Sequence, residues 1–567
     1  MKKKLAIILV LIAAGLASRW LFRPGYFNMH DDLQVMRQLQ MEKCWQDGQL
    51  PCRWVPDMGF GYGYPLFNFY PPLPFYIGQG FRALGFSFIN TAKILFGLQF
   101  FLSGITMFVL ANSLWGVWGG LLSSVFYIWA PYHSTDVFVR GALNESWAFI
   151  WFPLILWAGK KLAKKEQFKH LIWLAFSFAM LLLTHNIMVL IFIPVLLAWV
   201  IYWWYKYDKF PWNKPKLFGQ YVLSALWALG LAGFFTLPMF LEKRFTHIES
   251  MFSGYFNWRA HFVSLHQLFI SRFWGWGPSV WKQADGMAFP VGHVHWLIAI
   301  IITGYISVRW VFKVVTKKEI KIKNKHPLML IGLFGFGLVY AFLMHEKSTF
   351  IWLKVTFLQL AQFPWRLLAG IVLFSSIMAG AVYKIWPKKW LVWLLIIAVI
   401  GWNWTFFRPD NMGPLTDEEK LSGIAWEMQQ TSGINDYLPR AAKWAPISAP
   451  EVEYEFFGGE VSDVNTARGS NWYYWQGTVE EKGRLRINIF NFPGWKAWID
   501  DQPAEAFYRE DDELGRNQVY LTAGEHEVYF QFTDTPIRKW SDLISLLSWF
   551  SLLIIITQRK FKWLPIK

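Results

Sequence analysis

Only two cysteines occur in the chain, Cys44 and Cys52, and both stand in one polar stretch. So few exclude a disulfide-dense scaffold and a cysteine-built zinc framework. The pair forms one disulfide if its loop faces an oxidising compartment and stays as two thiols if it does not. Charge is scarce as well: 16% of the 567 residues are Asp, Glu, Lys or Arg, against 54% hydrophobic and 20% aromatic. A soluble domain of this length needs more polar surface, so the composition reads as an integral membrane protein. Ser- or Gln-rich tracts and an evident internal repeat are missing too. The formal charge of +17 does not indicate nucleic acid, because Lys and Arg fall in short clusters between apolar runs, as membrane topology produces.

What the chain does contain is a series of apolar segments. A membrane helix needs about 20 mostly apolar residues. Spans near 4–22, 92–112, 114–132, 146–160, 169–184, 186–204, 218–241, 293–313, 327–344, 365–385, 389–407 and 541–558 fit, about twelve helices in all. The first, in MKKKLAIILVLIAAGLASRWLF, is read as an uncleaved helix: it is long for a signal peptide, and Arg19-Trp20 makes a poor cleavage site. With Lys2, Lys3 and Lys4 holding the N-terminus inside, the larger basic clusters share one side. These are Lys160, Lys161, Lys164 and Lys165, then Lys206, Lys209, Lys214 and Lys216, then Lys317, Lys318, Lys321, Lys323 and Lys325. Lys384, Lys388 and Lys389, and finally Arg559, Lys560 and Lys562, complete the set. An inner (plasma) membrane location with cytoplasmic termini follows, and the loops 23–91 and 242–292 fall outside.

Residues 1–407 thus form the transmembrane unit, 408–540 an extracytoplasmic unit, and 541–567 a last helix with a basic tail. The outer unit has strand character. Leu485, Ile487 and Ile489 alternate with Arg484, Arg486 and Asn488, and Val528, Phe530 and Phe532 alternate after the turn at Ala523-Gly524-Glu525. With turn chemistry at Pro493-Gly494 and Gln502-Pro503, a small sandwich or jelly roll is expected.

Asp31 and Asp32 open the first outer loop, after His30. Two adjacent acids cannot both be desolvated cheaply. Either one becomes a general base near neutral pH, or a divalent cation, Mg or Mn, offsets the repulsion with Glu145 as a further ligand. Capping of the helix that follows is the plain alternative. Next comes GFGYGYPLFNFYPPLPFY (Gly59 to Tyr76), whose Gly and Pro spacing ends any helix and leaves a rigid aromatic loop. Its rings, Tyr64 and Tyr70 among them, either anchor the protein at the interface or grip sugar and lipid phosphate. Arg140, Glu145, His185, Lys243, Arg244 and Arg366 map to the outer ends of helices. Arg366 is suited to neutralise a leaving phosphate bidentately, or else snorkels to water as an ordinary flank. The pair His293 and His295, with Asp285 nearby, is a weak metal pattern.

These stretches carry a resemblance. HDDLQ, DGQLPCRW, GYGYPLFNFYPPLPFY, VRGALNESWAF, LTHN, QFPWRLL, DYLPRA, FPGWKAWID and LTAGEHEVYFQFTDTPIR together span most of the chain. They resemble the polytopic membrane family labelled 6-pyruvoyl-tetrahydropterin synthase-related, a branch similar to the C-type (GT-C) glycosyltransferase superfamily and to YfhO-like membrane proteins. The soluble pterin-synthase motifs are not present, and that activity is not expected. The resemblance implies a polytopic α-helical fold and transfer of a sugar from a polyprenyl-phosphate donor to a glycan, lipid or protein acceptor at the outer face of the lipid membrane. It also implies an early-loop aspartate, here Asp31 or Asp32, acting as base or metal-associated acid. His30, Arg140, Glu145, His185, Arg366, Tyr64 and Tyr70 are the residues expected to line the substrate. A lipid-linked saccharide transporter or a non-catalytic envelope scaffold is the rival reading. Transporters usually carry repeats and acids in mid-span, and neither is evident in this sequence.

Overall fold

The computed structural model describes residues 1–208, 215–280, 285–316 and 326–558. The basic residues Lys209, Lys214, Lys317, Lys318, Lys321, Lys323, Lys325, Arg559, Lys560 and Lys562 lie outside the described residues. Apolar helices form the body of the molecule. Helix α1 (Lys3–Ala17) leads into a loop holding helix α2 (Gln34–Gln46), and the central element α3 (Phe88–Ile128) follows. Then come α4 (Leu143–Lys165), α5 (Phe168–Leu182), α6 (Asn186–Asp208), α7 (Pro215–Leu231) and α8 (Gly233–Leu241). Helices α9 (His293–Thr316), α10 (Pro327–Leu343), α11 (Leu368–Ile385) and α12 (Lys389–Asn403) complete the body.

Six helices among the described residues are long and apolar enough to cross a membrane, or eight if two bent pairs, kinked by 81° and 91°, each count as one span. That is a coarser result than the twelve spans expected, and the reason is physical. Helices α1 and α5 have 15 residues each, so each rises only about 22 Å at 1.5 Å per residue, short of a hydrocarbon layer of about 30 Å. Element α3, with 41 residues, doubles back on itself. At Gly116 the backbone takes φ 81° and ψ −179°, a region open essentially to glycine alone. Beyond it Gly120 lies against Phe108 and Asn112, and Ile128 against Gly104, so the two halves pack antiparallel. This hairpin sits against α1, α4 and α11 and forms the centre of the bundle. By contrast, α9 turns Val308, Trp310, Val311 and Val315 outward, an apolar face suited to lipid.

The C-terminal unit is β-rich. A ladder of β1 (Tyr26–Phe27) with β2 (Met412–Gly413) ties it to the first loop. Strands β3 (Tyr454–Phe457), β4 (Val461–Arg468), β5 (Trp472–Val479), β6 (Gly483–Phe490) and β7 (Trp495–Ile499) are followed by β8 (Gln502–Ala504), β9 (Arg516–Leu521) and β10 (Gly524–Phe532). They make a five-stranded antiparallel sheet, β4-β5-β10-β7-β8, and a three-stranded one, β3-β6-β9. The alternation read from the sequence turns Leu485, Ile487, Val528 and Phe530 inward, and Tyr454 of one sheet meets Trp475 of the other edge-on at 6.0 Å. Asn488 is buried with them and is satisfied by Val452 and Arg516. Helix α13 (Gly423–Ser432) lies in the linker before the sandwich, and α14 (Pro536–Gln558) returns to the bundle. Cys44 and Cys52 form a disulfide that ties the end of α2 to the stretch preceding the aromatic loop.

Candidate functional site

Where the first loop meets the helix ends, the chain encloses a cavity of about 290 Å³. Its floor begins with the short segment before α4. His30 and Asp31 donate backbone N–H groups to the carbonyls of Val139 and Arg140, at 3.1 and 2.8 Å, so the loop lies along the segment that carries Arg140. Gly141 makes this possible: its φ is +63°, and its bare Cα packs against Met29, where a Cβ would collide.

Glu145, in the first turn of α4, organises the cationic side. Its Oε2 accepts from Arg140 Nη1 at 2.8 Å and from Arg366 Nε at 3.1 Å, and its Oε1 accepts from Tyr132 at 2.5 Å. Arg140 also reaches Asp136 at 2.5 Å and lies over the Trp365 ring at 4.5 Å. Arg366 donates through Nη1 to Ala361 O and to Gln362 Oε1. Gln362 holds a left-handed backbone, φ +59°, that costs energy away from glycine, and strain of this kind collects at functional sites. All these carboxylate and guanidinium groups are buried; Arg140 and Arg366 line the cavity, and the Nη2 of each has no hydrogen-bond partner among the described residues. His185 completes this side. Its Nδ1 accepts from the Met188 N–H, capping α6, which leaves Nε2 4.0 Å from Glu145.

Across the cavity the acids are arranged differently. Asp31 Oδ2 accepts from Arg37 at 2.9 Å and from Gln34 at 3.1 Å, while Oδ1 has no partner among the described residues. Arg37 is buried, stacks on the Tyr70 ring at 4.1 Å and donates to its hydroxyl at 3.0 Å. Burial pushes the Tyr70 hydroxyl up, so it stays protonated. His30 donates to Trp276 O at 2.8 Å, and burial lowers its pKa against the opposing pull of that bond and of Asp31.

Asp32 points elsewhere. It pairs with Lys420 at 2.5 Å, outside the cavity, and burial raises its pKa while Lys420 opposes the rise. Neither acid caps α2, whose N-cap is Leu33. Tyr64 is also away from the lining. Its hydroxyl donates to Gly433 O at 2.6 Å and accepts from the Tyr437 N–H at 2.9 Å, so it fixes the linker 433–437. That linker delivers two lining residues absent from the expected set, Asp436 and Tyr437. The Asp436 carboxyl has no hydrogen-bond partner among the described residues, and burial pushes it up to about 7, against the pull of Arg37 and with help from Asp31. An acid beside an aromatic residue and a proline in DYLPRA was the available signal. Arg37, Gln362 and Tyr132 were equally unmarked, because their roles depend on long-range partners.

Of the expected residues the cavity therefore gathers His30, Asp31, Tyr70, Arg140, Glu145, His185 and Arg366, and leaves out Asp32 and Tyr64. The carboxylates of Asp31, Asp32 and Glu145 do not converge as cation ligands: each is engaged with a different basic side chain. Among the described residues no group of three or more His, Cys, Asp or Glu side chains is placed to hold a metal ion. His293 and His295 bond separately to the carbonyls of Ile270 and Phe126.

No family model matches the chain. It is similar to an uncharacterized protein of Lactococcus lactis subsp. cremoris (strain MG1363), 25% identical over 283 residues, 49% of this chain. The match spans 43% of that protein's length.

Proposed function

We propose that this chain is a membrane-integral glycosyltransferase, built on about twelve membrane helices, that moves a sugar from a polyprenyl-phosphate carrier to a glycan, lipid or protein acceptor on the extracytoplasmic face. One observation carries the reading: a single cavity at the helix ends is lined by the open carboxylates of Asp31 and Asp436 and by the unpaired guanidinium donors of Arg140 and Arg366. A donor phosphate lies at headgroup level, within reach of helix ends only. Guanidinium groups suit its oxygens.

In the reaction the acceptor O–H attacks the anomeric carbon as the bond from that carbon to the phosphate oxygen breaks, with inversion. Asp31 Oδ1 takes the hydroxyl proton, and the departing phosphate keeps the electron pair beside Arg140 and Arg366. Arg37 and Gln34 hold the other Asp31 oxygen and so fix the direction of Oδ1. Asp436, with its ionisation near neutral pH, passes the proton on toward water. Glu145 is a positioning residue that sets both arginines.

The test separates the two neighbouring aspartates. In proteoliposomes loaded with radiolabelled polyprenyl-phosphate hexoses and envelope extract as acceptor, Asp31→Asn should lower transfer by about 10² to 10⁴. Asp32→Asn removes the partner of the buried Lys420 ammonium outside the cavity and should leave transfer by the folded chain within a few-fold. Equal turnover of Asp31→Asn and wild type would remove the base.

A further inference from the structure

The outward face of the five-stranded sheet carries a row of rings that the cavity chemistry does not use. Inward positions on these strands are filled by Tyr473, Trp475, Val528 and Phe530, which are buried. Strand alternation therefore turns Trp472, Tyr529 and Trp498 outward, on three adjacent strands, β5, β10 and β7, and all three are partly exposed. Tyr529 stacks near Trp472 with centroids 6.2 Å apart and stands 6.2 Å from Trp498. Tyr474 lies directly across from Tyr529 on the same face. Two residues on from Tyr529, in register with Trp472 on one side and Lys496 on the other, sits Gln531, whose amide has no hydrogen-bond partner among the described residues.

Cross-strand aromatic pairs stabilise a sheet, but a core already filled on the other side does not need indoles left in water. A row of π faces with amide and ammonium groups between them has a particular complement. Flat pyranose rings with equatorial linkages present C–H groups of slight positive charge to the negative ring faces, and hydroxyls at the edges to polar side chains. The step between ring centres is close to the advance of one sugar along such a chain. We infer that this face is a glycan-binding surface, in which a neutral β-1,4-linked oligosaccharide runs across β5, β10 and β7 over Trp472, Tyr529 and Trp498.

The surface is joined to the cavity through the first loop. Helix α2 begins three residues after Asp31 and ends next to Asp47, whose carboxylate accepts from the Ser470 N–H just before β5. Its 13 residues rise about 20 Å at 1.5 Å per residue, the length of a few sugar units. Binding here does not depend on the transferase reading, and it is measured without turnover.

The experiment uses the full chain in detergent micelles, with cellohexaose and chitohexaose as probes, followed by calorimetry and by saturation transfer from the aromatic protons. One of the two should bind with a dissociation constant at or below about 1 mM. Trp472→Ala and Trp498→Ala, at opposite ends of the row, should each weaken it at least about tenfold, a change of about 1.4 kcal/mol. Trp498→Phe should restore most of the affinity. Tyr520→Ala, which removes a ring stacked on Phe507 at 5.0 Å on the other sheet, should change nothing. Protease resistance of the sandwich identifies which alanine variants are folded, and either one suffices. Failure of both probes to bind the wild-type chain overturns the inference, as does full affinity in a folded alanine variant. If Trp498→Ala instead converts a dimer to a monomer and neither sugar binds, the face is a contact between copies and the inference falls.

Discussion

Glu145→Gln changes one charge and almost no volume, at the point where the cationic side of the cavity is tied together. Glu145 is 1% exposed and accepts three hydrogen bonds, from Arg140 at 2.8 Å, Arg366 at 3.1 Å and Tyr132 at 2.5 Å. Without its charge, two buried guanidiniums are left with Asp136, which bonds to Arg140 alone. The new amide can accept at one atom but aims N–H groups at a donor. Removing one partner of a buried pair costs about 3–5 kcal/mol, since the stranded charge keeps its desolvation penalty and loses its attraction. Arg366 opens onto the cavity, where water relieves part of that penalty, so about 3 kcal/mol is expected. Unfolding of the purified chain in mixed micelles, titrated with denaturing detergent, measures the loss. Glu145→Gln with Arg366→Met removes both charges, and should cost less than the sum of the two single changes by at least about 2 kcal/mol. A Glu145→Gln chain within about 0.5 kcal/mol of wild type, or strict additivity in the double variant, would refute the reasoning.

Two further outcomes follow from the same geometry. A carboxyl raised to about 7 is neutral below that pH and ionised above it, so with Asp436 in the proton path transfer should climb as pH rises through neutrality. Asp436→Asn should lower the rate and flatten that limb, read as initial rate against pH; an unchanged limb would take Asp436 out of the path. Gly141→Ala puts a Cβ into Met29 at φ +63°, a strain of about 1–2 kcal/mol for a left-handed residue. It should displace His30 and Asp31, lowering kcat while the donor still co-purifies with the protein in native mass spectrometry. Wild-type kcat in Gly141→Ala would mean that the loop does not depend on this contact.

How much of this was legible in the sequence differs from element to element. Alternation along β10 and the first half of β6 was readable because one face is buried there and periodicity 2 leaves a direct trace, whereas from Ile487 to Phe490 both faces of β6 are buried. Rim positions such as Arg140, Glu145 and Arg366 were readable because a span of known length fixes where its ends fall. Pairing was not. Arg366 is 221 residues from Glu145, and no local pattern says that one carboxylate will hold two arginines. Asp31 and Asp32 show the limit best. Neighbours in the bend and turn that lead into α2, they go to different partners, one toward Arg37 and the cavity, the other toward Lys420, so a motif read as a paired acid is two separate ion pairs. Asp436 was hidden for a related reason: its setting is made by Tyr64 and Arg37, both from the first loop.

The charges around the cavity bear on which phosphate can enter. Arg37, Arg140 and Arg366 face Asp31, Asp136 and Glu145, but burial and the Glu145 charge push Asp136 toward its neutral form, so Asp136 and Asp436 are the acids left to vary. The net charge of these groups is small, so no strong positive field draws an anion in. Attraction is local, through the free Nη2 donors of Arg140 and Arg366, and a singly charged phosphodiester suits it better than a more highly charged diphosphate. Such an anion also raises the proton affinity of Asp436, so binding near neutral pH takes up part of a proton and restores the balance. In the transfer proposed above, the leaving phosphate carries more charge than the donor, and the proton removed from the acceptor is held on the facing acids. In the proposed transfer the site therefore keeps its charge nearly constant, which limits the cost of placing charge in a partly buried cavity.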